Sequence, residues 1–219
     1  MIKCCIFDLD GTILDTLNSI TYFVNRTLEK NGIAPISKEE CRKFVGNGAA
    51  KLISRALEHR SVTDEKEMVR IRDEYICEYD SNPTYLTDVF PGVREMLAEL
   101  KARGIKLAVL SNKQDSSTKS AAEHFFPNTF DVVMGGTDTT PLKPNPECPL
   151  KIAESFSVKP HEVAFIGDTA VDVETGKNMK AGITIAVDWG LRPVSESIEA
   201  GADKIVSRAE EILSEVLSH

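Results

Sequence analysis

The strongest constraint on this chain is an alternation. From Pro91 onward, short β-rich runs trade places with amphipathic stretches. Ile105–Asn112 (IKLAVLSN), Phe130–Gly136 (FDVVMGG), Glu162–Asp168 (EVAFIGD) and Gly182–Gly190 (GITIAVDWG) read as strands. Three of them are nearly continuously apolar, the pattern of strands covered on both faces. Between them lie VREMLAELKARG, STKSAAEHFF, PECPLKIAESF and AVDVETGKNMKAG, with apolar residues at spacings of three and four. Two of these stretches end in glycine at a helix C-cap position. Strand, helix, strand repeated in this way predicts a doubly wound α/β fold, a parallel sheet with helices on both faces. The run CCIFDLD, Cys4–Asp10, belongs with these strands.

The stretch from Thr16 to Asp88 has a different texture and no convincing strand. Leu17, Ile20, Phe23, Val24 and Leu28 mark one amphipathic helix that stops near Gly32. Ser37–Glu40 (SKEE) is a capping-box pattern opening a second. Ala49–His59 supports a third, and Met68, Ile71, Tyr75 and Tyr79 mark a fourth. The reading is a core domain over residues 1–15 and 89–219, interrupted by an inserted helical cap domain over 16–88, with hinges near Asp15–Thr16 and Asp88–Pro91. A length of 219 residues accommodates a core with such an insert.

Composition narrows the partners. There are 34 acidic and 26 basic residues, a formal charge of -8, and no Lys/Arg run. That balance excludes a nucleic-acid or anionic-membrane surface, so any anion site must be built locally. Five cysteines, an odd number with no CxxC pair, argue for reduced thiols and a cytoplasmic protein. The N-terminal apolar run is too short for a signal peptide, and nothing approaches the roughly 20 apolar residues of a membrane span.

In a parallel sheet, the loops after the carboxyl ends of the strands share one edge, and ligands bind there. Here those loops carry Asp8, Asp10 and Thr12; Ser111 and Asn112; Lys143 in a Pro-rich loop; and Asp168 with Asp172 one helical turn on. Clustered carboxylates repel one another in a low dielectric, so some protonate or a divalent cation neutralises them. Hard oxygen ligands with room for water and phosphate suit Mg²⁺. A cation beside Lys143 and Ser111 would form a pocket for a phosphoryl group.

The four segments DLDGTILD (Asp8–Asp15), Ser111–Asn112, Lys143–Pro144 and GDTAVD (Gly167–Asp172) together resemble the motifs of the haloacid dehalogenase-like phosphohydrolases, in order, spacing and helical insert. The segments VFPGVREMLAELKARG, VDWG, SIEAGADKIV and FVGNGAAKLISRAL look like the phosphoglycolate phosphatase branch. The resemblance implies a Rossmann-like core and Mg²⁺-dependent hydrolysis of a small phosphomonoester, with 2-phosphoglycolate the leading substrate. It implies that Asp8 is the nucleophile that forms an aspartyl-phosphate, and that Asp10 is the general acid and base. It implies a metal held by Asp8, the Asp10 carbonyl and Asp168, with Asp172 orienting Lys143 or a metal-bound water. Lys143 would balance the charge of Asp8 and the transferring phosphoryl. Thr12 and Ser111 would offer hydroxyls, and Asn112 its amide, to phosphate oxygens.

In the cap, Gly46-Asn47-Gly48 precedes a helix. Asn47 is placed to N-cap it, and the free amides there could meet an anionic group of the substrate; a plain helix–helix turn explains the glycines equally well. Lys51 falls in the cap region where phosphonate-cleaving relatives carry a Schiff-base lysine. Asp10, which those relatives lack, argues instead for a solvated helix lysine or an anion contact. Arg55, His59 and His161 read as surface or loop residues, Asp15 as a structural hinge residue, and Phe44, Tyr75, Tyr79 and Trp189 as packing. Competing readings are a β-phosphoglucomutase, an inorganic pyrophosphatase or a nucleotide phosphatase on the same core, and, in a different class, a non-catalytic phospho-ligand sensor. The oligomeric state is invisible in the sequence.

Overall fold

The computed structural model describes residues 1–219. Its centre is strand β1 (Cys4–Phe7), every residue of which is buried. β1 pairs in parallel with β4 (Lys106–Gln114) on one side and β6 (Val163–Gly167) on the other. Outward from these lie β5 (Val132–Gly136), then β7 (Ile183–Val187) and β8 (Lys204–Val206), for a six-stranded order β5-β4-β1-β6-β7-β8, parallel throughout. Residues alternate faces along each strand. Cys5, Phe7, Leu107, Val109, Ala164 and Ile166 join one apolar cluster with α5 (Val93–Ala102) and α10 (Ala209–Ser218). Cys4, Ile6, Ala108, Leu110, Val163 and Phe165 join a second with α7 (Glu147–Ser155) and Met179. Burial on both faces is why β1, β6 and the Leu107–Leu110 part of β4 carry no charged residue, and each full burial of a Phe or Ile contributes about 1.5–3 kcal/mol.

Four helices intervene between β1 and the rest of the sheet: α1 (Leu17–Lys30), α2 (Lys38–Phe44), α3 (Ala49–His59) and α4 (Glu65–Asp80). They enclose an apolar cluster of their own, which includes Leu17, Phe23, Leu28, Ile53, Leu57, Ile71 and Tyr75. The second helix opens as its sequence implies: Ser37 Oγ accepts from Glu40 N at 3.1 Å, and Glu40 Oε2 accepts from Ser37 N at 2.6 Å. The chain enters and leaves this block through a two-stranded antiparallel ribbon, β2 (Leu14–Asp15) and β3 (Asp88–Val89). Strands this short have no periodicity to read. β8 is likewise unforeseen, being an edge strand with Lys204 and Ile205 exposed. No helix is long and apolar enough to cross a membrane.

Two strand ends differ from expectation in ways that matter for the site. The run from Gly182 to Gly190 is strand only to Val187, and the remainder forms a loop facing β6. β4 continues past Asn112 to Gln114, with a register shift against β5 between Leu110 and Gln114. A bulge of this kind re-aims side chains locally, and Ser111, Asn112 and Lys113 lie in it.

Between β6 and β7, α8 (Ala170–Asn178) packs closely on the sheet. A Cβ on Gly176 would stand 2.4 Å from Thr184 Cγ2 and 3.0 Å from Phe165 Cβ. Thr184 cannot turn away, because its hydroxyl donates to Asp203 Oδ2 at 2.7 Å. Gly176→Ala therefore sets a helix-propensity gain of about 1 kcal/mol against overpacking of about 1–3 kcal/mol. The expected outcome is a lower Tm in thermal denaturation; an unchanged or raised Tm would show that helix and sheet separate without cost.

Candidate active site

The loops at the carboxyl ends of β1, β4 and β6 converge on one cavity of about 310 Å³, closed from the other side by α1, α3 and α4. Asp8 leaves the end of β1 and is 7 % exposed. Lys143 reaches it from the loop before α7, with Nζ 2.7 Å from Asp8 Oδ1 and 2.7 Å from Asp172 Oδ1. All three are buried. Asp172 sits in the first turn of α8, where its Oδ2 also accepts from Thr169 N and Thr169 Oγ1 at 3.1 and 2.7 Å. Thr169 N-caps that helix as a capping box. Gly167 is required just upstream: a Cβ there would lie 2.2 Å from Asp172 Cβ.

Asp168 is fully buried. Its Oδ2 accepts from Leu191 N at 2.7 Å and its Oδ1 from Thr12 Oγ1 at 3.3 Å. Two glycines make room for it, since a Cβ on Gly11 or Gly190 would come within 2.5 Å of Asp168 Oδ2. Gly11 also has φ +87°, a backbone angle that side chains disfavour. One carboxylate oxygen from each of Asp8, Asp168 and Asp172 lies within 4.8 Å of the others. Three buried carboxylates against one ammonium leave excess negative charge. An all-oxygen donor set of this charge is able to hold a hard divalent cation.

The electrostatics agree. Burial, with Asp172 and Asp10 adding to it against the opposing pull of Lys143, pushes the Asp8 carboxyl up to about 7. Burial likewise raises Asp168 well above the carboxylate range, reinforced by Asp172 and Asp8. Burial opposes the charge on Lys143, but Asp172 and Asp8 outweigh it and hold its pKa above that of free lysine.

Several sequence expectations meet a different geometry. Thr12 is buried with its hydroxyl on Asp168, and does not line the cavity. Its carbonyl accepts from Trp189 Nε1 at 3.1 Å, so Trp189 both packs and positions this turn. Asn112 has its amide engaged: Oδ1 accepts from Lys143 N at 2.8 Å and Nδ2 donates to Lys143 O at 3.2 Å. It fixes the lysine loop from the cavity wall, which Asn112 also lines. Ser111 does line the cavity, with Oγ accepting from Lys113 N at 3.2 Å. Gly46, Asn47 and Gly48 form part of the opposite wall. Asn47 is not the N-cap of α3: that position is Gly48, and Asn47 Oδ1 accepts from Arg55 Nη2 at 2.9 Å. Arg55 also donates to Phe44 O at 2.8 Å, His59 pairs with Glu40 at 2.5 Å, and Lys51 is exposed away from the cavity.

Lys113 has a place in the site that its sequence context does not signal. Its Nζ lies 3.3 Å from Asp10 Oδ1 and donates to the hydroxyl of Tyr79, on α4, at 2.8 Å. Tyr79 thus does more than pack. A second crossing joins core and helical block near the loop after β7. Arg42, on α2, donates to Gly190 O and Leu191 O at 2.8 and 3.2 Å. Arg192 donates back to the carbonyls of Arg42 and Lys43 while Glu196 holds its guanidinium.

With this geometry in place, residues 5–187 match the family model described as haloacid dehalogenase-like hydrolase. The chain belongs to that family. It is 33 % identical over 184 residues to a phosphoglycolate phosphatase of Cereibacter sphaeroides, covering 83 % of each chain. Against a phosphoglycolate phosphatase of Aquifex aeolicus it is 28 % identical over 99 % of this chain and 98 % of that one. A crystal structure from Lactobacillus delbrueckii subsp. bulgaricus, provisionally named a phosphoglycolate phosphatase, superposes with a TM-score of 0.91 at 29 % identity over 98 % of both chains.

The raised Asp8 pKa has a stability consequence. In the metal-free fold Asp8 keeps its proton up to about 7, whereas its ordinary value is 3.8. The folded state therefore binds more protons than the unfolded chain in that window. Stability from this group is complete below the ordinary value and is lost as pH rises through about 7. A divalent cation held by these carboxylates would remove the penalty by favouring the ionised forms. Thermal denaturation at pH 5 and pH 8, with chelator and with Mg²⁺, should show the larger cation-induced rise in Tm at pH 8. Equal rises at both pH values would contradict the carboxylate assignment.

Proposed function

We propose that this hydrolase is a Mg²⁺-dependent phosphatase acting on small phosphomonoesters through an aspartyl-phosphate on Asp8, with 2-phosphoglycolate as substrate. The observation that carries the reading is the buried Lys143 ammonium at 2.7 Å from both Asp8 and Asp172, beside Asp168. A non-catalytic sensor has no use for a nucleophile held this way. The choice of substrate rests on the phosphoglycolate phosphatases among the relatives, one aligned over nearly the full chain, and on a cavity near the small end of the ligand-site range.

Asp8, Asp168 and the Asp10 carbonyl would hold the cation, which when bound neutralises charge on the carboxylates and the phosphoryl group. Lys143 holds Asp8 Oδ1, so Oδ2 attacks phosphorus. The bond from phosphorus to the ester oxygen breaks, and Asp10 gives its proton to the departing alkoxide. Asp10, now a carboxylate, takes a proton from water. The resulting hydroxide attacks phosphorus, inorganic phosphate leaves, and Asp8 is regenerated. Lys143 and the Ser111 hydroxyl meet the charge that grows on the phosphoryl oxygens. Asp172, tied to Thr169, keeps Lys143 in place. Residues 16–88 serve as a cap whose closure excludes bulk water from the acyl phosphate.

Phosphate release is to be measured from phosphoglycolate, pyrophosphate, nucleotides and sugar phosphates, with Mg²⁺ and with chelator. Phosphoglycolate should give the highest kcat/KM, chelator should abolish turnover, and Asp8→Asn should lower kcat by at least about a thousandfold. Metal-independent turnover or an active Asp8→Asn would sink the mechanism. Equal specificity constants across the panel would sink the substrate.

A further inference from the structure

We propose that Lys113 binds a second negative charge on the substrate, making the site selective for α-phosphoryloxy carboxylates, in which the carboxylate sits on the carbon that bears the phosphate ester. The inference rests on the phosphatase reading above and adds a recognition residue to it.

The two lysines of the cavity are held in different ways. Lys143 is matched by two carboxylates at 2.7 Å. Lys113 is equally buried, 8 % exposed, yet its partners are the neutral Tyr79 side chain, with the hydroxyl at 2.8 Å and the ring centre at 4.5 Å, and a carboxylate at 3.3 Å. A charge-assisted bond between ammonium and carboxylate is ordinarily 2.7–2.9 Å, so the contact with Asp10 is a loose one. An ammonium has three donors, and Lys113 finds two acceptors within the protein. A buried cation so incompletely met favours an anionic ligand. Lys113 also forms part of the cavity wall.

Its position selects which anion. Asp10 is the group that serves the ester oxygen, and Lys113 lies directly beside Asp10. A carboxylate able to reach Lys113 must stand close to that oxygen, as one on the adjoining carbon does. The side of the cavity formed by the helical block brings no basic side chain for a distant second phosphate. It contributes apolar residues such as Ile20, Leu52 and Ile76, the Gly46–Gly48 loop at the start of α3, and one charged residue, the acid Asp80. No basic side chain lines the cavity other than Lys113 and Lys143. Tyr79 makes the arrangement rigid: its ring is buried against Tyr75 and Phe23, and its hydroxyl anchors the ammonium. A compact second acid meets Lys113; a nucleotide or a sugar bisphosphate finds no third basic side chain.

The test compares two esters of equal length, phosphoglycolate and glycol phosphate, whose far ends are a carboxylate and a neutral hydroxyl. Wild type should favour phosphoglycolate in kcat/KM by about tenfold or more, the scale of one hydrogen bond to a charged group. Lys113→Gln should bring the two specificity constants together, chiefly through a higher KM for phosphoglycolate, and Lys113→Arg should restore the preference. A wild type with no preference overturns the proposal even if the variants fail to fold. A Lys113→Gln protein that loses both esters in equal proportion also overturns it, and reduces Lys113 to holding Asp10. If wild type hydrolyses neither ester in Mg²⁺, the phosphatase reading fails on its own terms. Calorimetric dissociation constants of the two esters on the same protein then decide the Lys113 assignment: tighter binding of phosphoglycolate by about tenfold supports it, and equal binding ends it.

Discussion

A single ammonium holds this site together. Lys143 lies between Asp8 and Asp172, which without it would be two buried carboxylates facing each other beside a third, Asp168. Removing one partner from such a buried group leaves charges uncompensated, a loss on the order of 3–5 kcal/mol. The surrounding backbone is shaped to allow the cluster. Gly11, Gly167 and Gly190 each lie where a side chain would collide with Asp168 or Asp172. Asn112 grips the main chain of Lys143 on both sides, and the capping box of α8 grips Asp172. The charge pattern is costly for folding and is retained at the one edge where a phosphoryl group can meet it.

The sheet delivers these residues because its strands are parallel. β1, β4 and β6 are neighbours and end at one edge, so residues more than a hundred positions apart in the chain become contacts. The bulge near the end of β4 adjusts the aim: Ser111 lines the cavity, Asn112 reaches the Lys143 loop and Lys113 reaches Asp10. Three consecutive residues thus serve three separate purposes, which an unbroken pleat would not permit.

Much of this was legible in the sequence. Strands buried on both faces have to be apolar throughout, so β1, β4, β6 and β7 stood out, and the amphipathic spacing of α1 and α4 matched the faces they bury. What could not be read depended on partners distant in the chain. Lys113 looks like any lysine until Tyr79 is brought onto it, and Asn112 looks like a turn residue until Lys143 arrives. Thr12 was expected to face phosphate, but the close approach of Asp168 takes its hydroxyl instead. Asn47 was expected to cap α3, but Arg55, eight residues further on, draws its side chain away. β8 and the β2–β3 ribbon are too short, or too exposed, to leave a periodic trace.

The crossing at Arg42 and Arg192 reaches into the acidic cluster. Leu191 is buried among the apolar residues of the helical block, while its own amide holds Asp168. The carbonyls of Gly190 and of Leu191 itself accept from Arg42, so one short loop is gripped by a helix on one side and by a buried acid on the other. The contacts that seat the helical block on the core therefore also set the position of the Asp168 carboxylate. Cutting the Arg42 side chain back would loosen a buried acid more than a hundred residues away in the chain.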